Sequence, residues 1–181
     1  NIWSPTRRGC GTDFSWRAVH QMTWWPGRPE IIENVVIADG GEAAHEGNRV
    51  YNLYRAPAIL QGDAHAVAMW LEHLARIYPQ DHEHIVKWLA QRVQAPHVKL
   101  NHALVLQGKQ GIGKDTVPEP VKRAVGPSNW ADVAPSDVFA QFNAFARSVV
   151  TRINEARDQG EGGSVNRFVF YDRTKTLIAA P

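Results

Sequence analysis

A glycine-rich segment directly after an apolar run constrains this chain more than any other feature. Residues 108–116 read Gly-Lys-Gln-Gly-Ile-Gly-Lys-Asp-Thr, and residues 103–106 before them read Ala-Leu-Val-Leu. A short apolar run bounded by glycine is typical of a buried β-strand. The pattern Gly-x-x-x-x-Gly-Lys after a strand is typical of a loop whose backbone N–H groups surround phosphate. We therefore predict a strand over residues 103–106, a phosphate-binding loop, and a helix after it.

This loop supplies the candidate ligands for a nucleoside triphosphate. Lys114 places a point charge near the terminal phosphates, and a helix N-terminus behind the loop adds partial positive charge. The alternative interpretation is a glycine-rich turn between a strand and a helix that binds no ligand. The predicted nucleotide-binding residues are Gly108, Lys109, Gln110, Gly111, Ile112, Gly113, Lys114, Asp115 and Thr116.

The position after Lys114 departs from the usual motif. A Ser or Thr hydroxyl ordinarily binds Mg²⁺ there, whereas this chain has Asp115 followed by Thr116. Carboxylate and hydroxyl oxygens both suit this hard cation. Either residue is therefore a candidate magnesium ligand, and Asp115 is the preferred one.

Composition indicates a folded chain in a reducing compartment. The 181 residues are 44% apolar and 21% charged, and their formal charge of +2 is too small to predict nucleic-acid binding by itself. The single cysteine, Cys10, excludes an internal disulfide and a cysteine-rich zinc site. No apolar stretch approaches the ~20 residues that a membrane-spanning helix needs. We therefore expect a cytoplasmic protein with no membrane partner. Since the chain begins without Met and ends on an apolar run, we also expect a piece of a longer protein.

The first 98 residues divide into two predicted parts. Residues 1–60 are rich in Trp, Pro and Gly, which predicts an arm of short strands and turns whose Trp rings pack as a small core. Stacking of nucleic-acid bases on those rings is the alternative. Residues 61–98 predict a helical hairpin, with Asp63 and Asp81 as N-caps and Pro79 and Pro96 as stops.

Histidines within the predicted hairpin raise the question of a metal site. Their spacing does not give a pair of ligands at i and i+4, and there is no cysteine partner. We therefore interpret them as solvated residues of the helix faces. They are His65, His73, His82 and His84.

Residues 99–181 are predicted to form the nucleotide-binding part. A helix should follow the loop over residues 116–125 and stop at Gly126, with Pro118 and Pro120 predicting a bent or delayed start. Residues 136–158 allow two interpretations. Their apolar spacing fits one long helix, whereas a nucleotide hydrolase needs a strand beside the loop strand, here residues 148–155 with Glu155 at its tip.

Several segments in this order resemble the helicase part of phage, prophage and plasmid primase-helicase proteins, which are superfamily-three helicases within the AAA+ class. The resemblance favours the strand over the long helix. It implies an α/β P-loop NTPase core, incomplete in this chain, with the sensor Asn and the arginine finger beyond Pro181. The similar stretches are residues 24–27, 51–57, 88–96, 108–116, 152–158 and 170–178.

Site residues and partners follow from the same resemblance. Lys114 and Glu155 would be catalytic, Glu155 being the acid of the second motif, and Asn154 stands where many relatives have a magnesium-binding Asp. Lys175 would contact DNA phosphate, although an exposed lysine on a solvated face is an equal alternative. The resemblance implies ATP and Mg²⁺ as cofactors, single-stranded DNA as partner and a ring, a hexamer, as the assembly. The isolated fragment should hydrolyse ATP weakly or not at all.

Two other functions stay open. A P-loop nucleotide or small-molecule kinase uses the same loop but needs an arginine-rich lid, which is not evident in the sequence. An inactive prophage remnant that binds nucleotide, DNA or a partner fits the two prolines after the loop.

Overall fold

The chain has mixed α/β structure. The computed structural model describes residues 18–39, 41–140, 144–154 and 167–178. The strands are β1 (Gln21–Thr23), β2 (Ile31–Ala38), β3 (Gly41–Asn52), β4 (Trp130–Val133) and β5 (Val150–Ile153). The α-helices are α1 (Ala68–Ile77), α2 (His82–Gln94), α3 (Glu119–Val125) and α4 (Arg167–Ile178). Short 3₁₀ helices cover Ala64–Val67, Lys114–Thr116, Pro127–Asn129, Pro135–Phe139 and Ala144–Ala146.

The predicted arm forms a sheet of order β1-β3-β2, in which β2 and β3, of eight and twelve residues, are longer than the short strands expected. Strand β1 pairs parallel to β3, and β2 pairs antiparallel to it with a register shift between Glu33 and Val35. Trp24 packs edge-on against Tyr54, with ring centroids 6.2 Å apart, and Tyr54 belongs to the main core. The prediction that this Trp packs as a structural residue is therefore confirmed.

A buried amide fixes the tryptophan-rich turn before β2. The Asn52 side chain is fully buried and accepts hydrogen bonds from the backbone N–H groups of Trp25 and Tyr54. Its amide nitrogen donates to the carbonyl oxygens of Trp25 and Arg28, at 2.8 and 3.1 Å. Because a buried amide without partners costs free energy, this set of bonds selects one conformation for the turn.

The predicted hairpin is present, and local sequence signals set its ends. The Asp63 side chain accepts from the backbone N–H of His65 at the first 3₁₀ turn, as an N-cap does. Asp81 stands at the N-cap position of α2 without a side-chain cap bond, and Tyr78 and Ala95 end the two helices.

One core joins the hairpin to the second half of the chain. Leu74 of α1 is fully buried, and Ile85 and Leu89 of α2 are almost so. They pack with residues of α3, of the segment directly before α3, and of β5. The hairpin therefore forms the surface against which those elements pack. The other members of this cluster are Tyr54, Val117, Val121, Val125, Val149 and Val150.

The interpretation of residues 136–158 as one long helix is wrong. Two 3₁₀ turns are followed by β5, Val150–Ile153, which confirms the strand interpretation. Strand β5 pairs parallel to β4, with Trp130 opposite Val150. The predicted neighbour was the strand before the loop, so the strand exists but its ladder partner differs from the prediction.

The predicted strand over residues 103–106 is not formed. Leu104 and Leu106 are half-buried against the core while Ala103 and Val105 are exposed, so the segment has the alternation of a strand. It lacks a ladder: β4 and β5 form a sheet of two strands, and no described residue bonds to the backbone N–H groups of residues 103–106. The alternation alone does not define a strand without a hydrogen-bonded neighbour.

The helix after the loop starts late, as the prolines predict. Residues 114–116 form a 3₁₀ turn, and α3 begins only at Glu119 with Pro118 at its N-cap. Gly126 ends it at φ 82°. The predicted stop is therefore confirmed, and the start is displaced because an interior proline cannot donate a helical hydrogen bond.

The remaining predictions concern the ends and the surface. Glu155 and Cys10 lie outside the described residues. Helix α4 packs beside Pro135–Phe139, with the rings of Phe139 and Phe170 6.3 Å apart. In the part of the chain that the structure describes, no helix is long and apolar enough to span a bilayer.

Candidate phosphate-binding site

The glycine-rich loop has a defined backbone conformation. Gly111 and Gly113 both have left-handed backbone angles, at φ 81° and 86°, which residues with a Cβ adopt only with strain. Gly113 precedes the 3₁₀ turn Lys114–Thr116, whose Thr116 N–H donates to the Gly113 carbonyl oxygen at 3.0 Å. The glycine spacing of the motif therefore coincides with a change of chain direction just before Lys114.

Side-chain rings of the hairpin hold the loop and its flanks. We call residues 102–117 the ring-bonded segment, because four of its carbonyl oxygens are bonded by ring or phenol groups from the hairpin. The partners run in opposite order along the two elements, so the segment lies antiparallel to the hairpin. The bonds are Trp88 Nε1 to His102 O at 3.2 Å, Tyr78 Oη to Gln107 O at 3.1 Å, His73 Nε2 to Gly113 O at 3.1 Å and Trp70 Nε1 to Val117 O at 3.1 Å.

This mode of attachment uses carbonyl oxygens and leaves the N–H groups open. Among the described residues, the N–H groups of residues 109–111, 113 and 114 donate to no backbone or side-chain acceptor, whereas the N–H of Ile112 closes the turn at residues 110–111. A carbonyl accepts but never donates, so a loop held through its carbonyls keeps its donors for another partner. Consecutive open N–H groups at a glycine turn form a concavity that suits an anion.

The side chains predicted to bind phosphate and Mg²⁺ differ in their exposure to solvent. Lys114 is half-buried, whereas Asp115 and Thr116 are exposed. Burial raises the pKa of the Tyr78 hydroxyl above its ordinary value, and the negative charge of Asp115 raises it further. The charge of Asp115 therefore acts on the hydroxyl that donates to the Gln107 carbonyl oxygen.

The interpretation of the hairpin histidines as solvated is wrong for His73. Its ring is half-buried, and because the Gly113 carbonyl only accepts, Nε2 carries the proton of this bond. Nδ1 then accepts from Arg76 Nη2, 3.5 Å away. His65 and His84 are exposed as expected, while His82 is half-buried with Nδ1 3.1 Å from the Pro79 carbonyl oxygen.

A signal for His73 was present in the sequence. His73 follows Trp70 by three residues and precedes Ile77 by four, so it shares their helix face. A polar ring on an otherwise apolar face predicts a buried acceptor opposite it. This role was missed because the histidines were considered only as metal ligands.

Other predicted site residues are not brought to the loop by any observed contact. Asn154 is exposed at the end of β5, where its backbone N–H donates to the Val133 carbonyl oxygen at 3.0 Å. Lys175 is exposed on α4. Glu155 lies outside the described residues. In the described ranges, no group of three or more His, Cys, Asp or Glu side chains is placed to hold a metal ion.

An open cleft of about 450 Å³ lies between α1 and the loop. Its walls are His73, Arg76 and Ile77 from α1 and Ile112 from the loop. Ile112 also folds back over the start of the loop, since a Cβ built on Gly108 would lie 2.3 Å from Ile112 Cδ1. A Cβ at Gly108 would therefore displace the end of the Ile112 side chain, which is free to rotate.

Comparison with models of protein families, with curated proteins and with solved structures finds no match to this chain. Its function is therefore inferred from the residues and contacts of the site.

Proposed function

We propose that residues 108–116 bind the phosphates of ATP, and that the chain is part of an ATP-dependent DNA helicase of the primase-helicase type acting in phage or plasmid replication. Lys114 and the loop N–H groups would hold the phosphates, and Asp115 or Thr116 would bind Mg²⁺. Glu155 would orient the attacking water, with Asn154 as a further magnesium ligand. In the full-length protein, single-stranded DNA would be the partner and a hexameric ring the assembly.

One observation supports phosphate binding beyond the motif itself. The N–H groups of residues 109–111, 113 and 114 make no hydrogen bond within the described chain, and they end at Lys114. The ring donors at Gln107, Gly113 and Val117 restrain this turn from its carbonyl side. Such donors are pre-organised, so a bound anion would order few additional backbone groups.

A second candidate function is nucleotide binding without hydrolysis. Helix α3 begins at Glu119, several residues after Lys114, so its positive end stands away from the loop. A loop without a helix directly behind it holds phosphate less tightly. This observation favours the alternative of an inactive remnant that binds nucleotide, DNA or a partner without hydrolysis.

Calorimetric titration with Mg·ATP tests the proposal. Wild-type chain should bind ATP, and Lys114→Ala should weaken binding by about tenfold or more because a charge-assisted contact to phosphate is removed. Lys87→Ala, on the exposed face of α2, controls for the loss of one positive charge. Equal ATP affinity of wild type and Lys114→Ala would refute the phosphate site.

Hydrolysis separates the two candidate functions. A version extended beyond residue 181 should hydrolyse ATP faster when single-stranded DNA is added, and Lys114→Ala should abolish that activity. ATP binding with no DNA-stimulated hydrolysis in the extended protein would favour binding alone.

A further inference from the structure

The cleft between α1 and the loop lies on the carbonyl side of the glycine turn. The Gly113 carbonyl points at His73, and its peptide bond to Lys114 is trans. In a trans peptide the C=O and N–H point in opposite directions, so the Lys114 N–H faces away from His73. Phosphates bound by that N–H group therefore lie across the turn from the cleft, and the cleft would receive a different part of the ligand.

The side chains of the cleft suit a flat ring better than a phosphate. Ile77 and Ile112 provide apolar walls on the α1 side and the loop side. Arg76 brings a planar guanidinium group, which stacks on the faces of aromatic rings. Its side chain is exposed and makes no ion pair among the described residues, and its Nη2 lies 3.5 Å from His73 Nδ1, beside the cleft.

The size and position of the cleft also suit a nucleobase. A volume of about 450 Å³ lies within the range of small-molecule sites and leaves room for a base and its sugar. Ile112 belongs both to the cleft and to the turn, so the two are adjacent.

We propose that this cleft is the base subsite, in which the edges of the planar nucleobase lie against Ile77 and Ile112 and one of its faces stacks on Arg76. This inference rests on the proposed function, since it assigns the second half of the same ligand. Arg76 would then contribute to affinity through the ring of the base, and Lys114 through the phosphates.

Two ligands and two variants separate these roles. The ligands are ATP and inorganic tripolyphosphate, which has the phosphates without the base, each titrated into the chain by calorimetry. Arg76→Ala should weaken ATP binding by roughly two- to thirtyfold, as expected for a cation–aromatic contact, and leave tripolyphosphate binding unchanged. Lys114→Ala should weaken both ligands. Arg123→Ala, an exposed arginine on α3, controls for general loss of charge, and thermal melting checks folding.

Each outcome decides one proposal. If Arg76→Ala weakens tripolyphosphate as much as ATP, Arg76 acts by charge and the base subsite is wrong. If Arg76→Ala leaves ATP affinity unchanged while Lys114→Ala lowers it, the base subsite falls and the phosphate site stands. If the wild-type chain binds tripolyphosphate but binds ATP no more tightly, the base makes no contact and the cleft is not its subsite. If neither ligand binds, both proposals fail.

Discussion

Two regions of the second half are positioned by different means. The ring-bonded segment, residues 102–117, is attached through four hydrogen bonds from hairpin side chains and has no backbone ladder. Strands β4 and β5 are attached to each other by a parallel ladder from Trp130–Val150 to Val133–Ile153. Asp132 adds side-chain bonds to Lys122 at 2.7 Å and to Arg152 at 2.5 Å.

The difference concerns which backbone groups remain available. A ladder consumes N–H and C=O groups together, so β4 and β5 are rigid but offer few donors between them. Ring donors consume only carbonyl oxygens, which holds the glycine turn in place and leaves its N–H groups open. The glycine turn and the strand pair are thus held by different kinds of partner from the same core.

The largest expected effect comes from adding one methyl group to the glycine turn. A Cβ on Gly113 would lie 2.7 Å from two atoms of the His73 ring, and the backbone there is left-handed. A Cβ on Gly111 meets the same backbone strain with nothing within 4 Å. Gly111→Ala should therefore cost about 1–2 kcal/mol of folding free energy, and Gly113→Ala about 1–3 kcal/mol more, measured by urea unfolding.

A double variant tests whether His73 causes that excess. In Gly113→Ala combined with His73→Ala, the clash is absent, so the two changes together should cost less than the sum of each alone. The same His73→Ala change should leave the cost of Gly111→Ala unaltered. Equal costs for the two glycine variants would show that the turn does not pack against α1.

The sequence predicted the locally determined parts of this fold. Asp63 and Gly126 mark helix ends through bonds and angles of their own neighbourhood, and the prolines at 118 and 120 delay α3. The ring-bonded segment depends on partners 14 to 47 residues away, which no local pattern indicates. The ladder partner of β5 and the unpaired state of residues 103–106 likewise follow from tertiary neighbours. Within the candidate site, the glycines and Lys114 were identifiable, whereas the role of His73 was not assigned.

A smaller effect distinguishes the two indole bonds of the hairpin. Trp70→Phe leaves the carbonyl of the fully buried Val117 without its donor, which should cost about 1–3 kcal/mol. Trp88→Phe frees the carbonyl of the exposed His102, which water can satisfy, so its cost should stay below about 1 kcal/mol. Urea unfolding gives both values, and amide exchange should rise at residues 113–117 in Trp70→Phe alone. Faster exchange throughout β4 and β5 in that variant would mean that the two regions are not independently held.

The smallest effect belongs to the strand pair and depends on pH. Burial alone would raise the pKa of Asp132, but its bonds to Lys122 and Arg152 outweigh that and lower it from 3.8 to about 2. Because the folded-state pKa is depressed, the charged carboxylate favours the folded state above pH 3.8, and this contribution is lost as pH falls towards about 2. The group is partly exposed, so solvent screening keeps the contribution below about 1 kcal/mol. Urea midpoints measured across this window should fall more steeply in wild type than in Asp132→Asn, and added salt should reduce the difference. The losses of folding free energy in Gly113→Ala and Trp70→Phe should stay constant over the same pH window, since neither substitution removes an ionisable group. If these losses follow the titration of Asp132 instead, the ring-bonded segment depends on the charges of the strand pair. The contrast between the two regions would then be wrong.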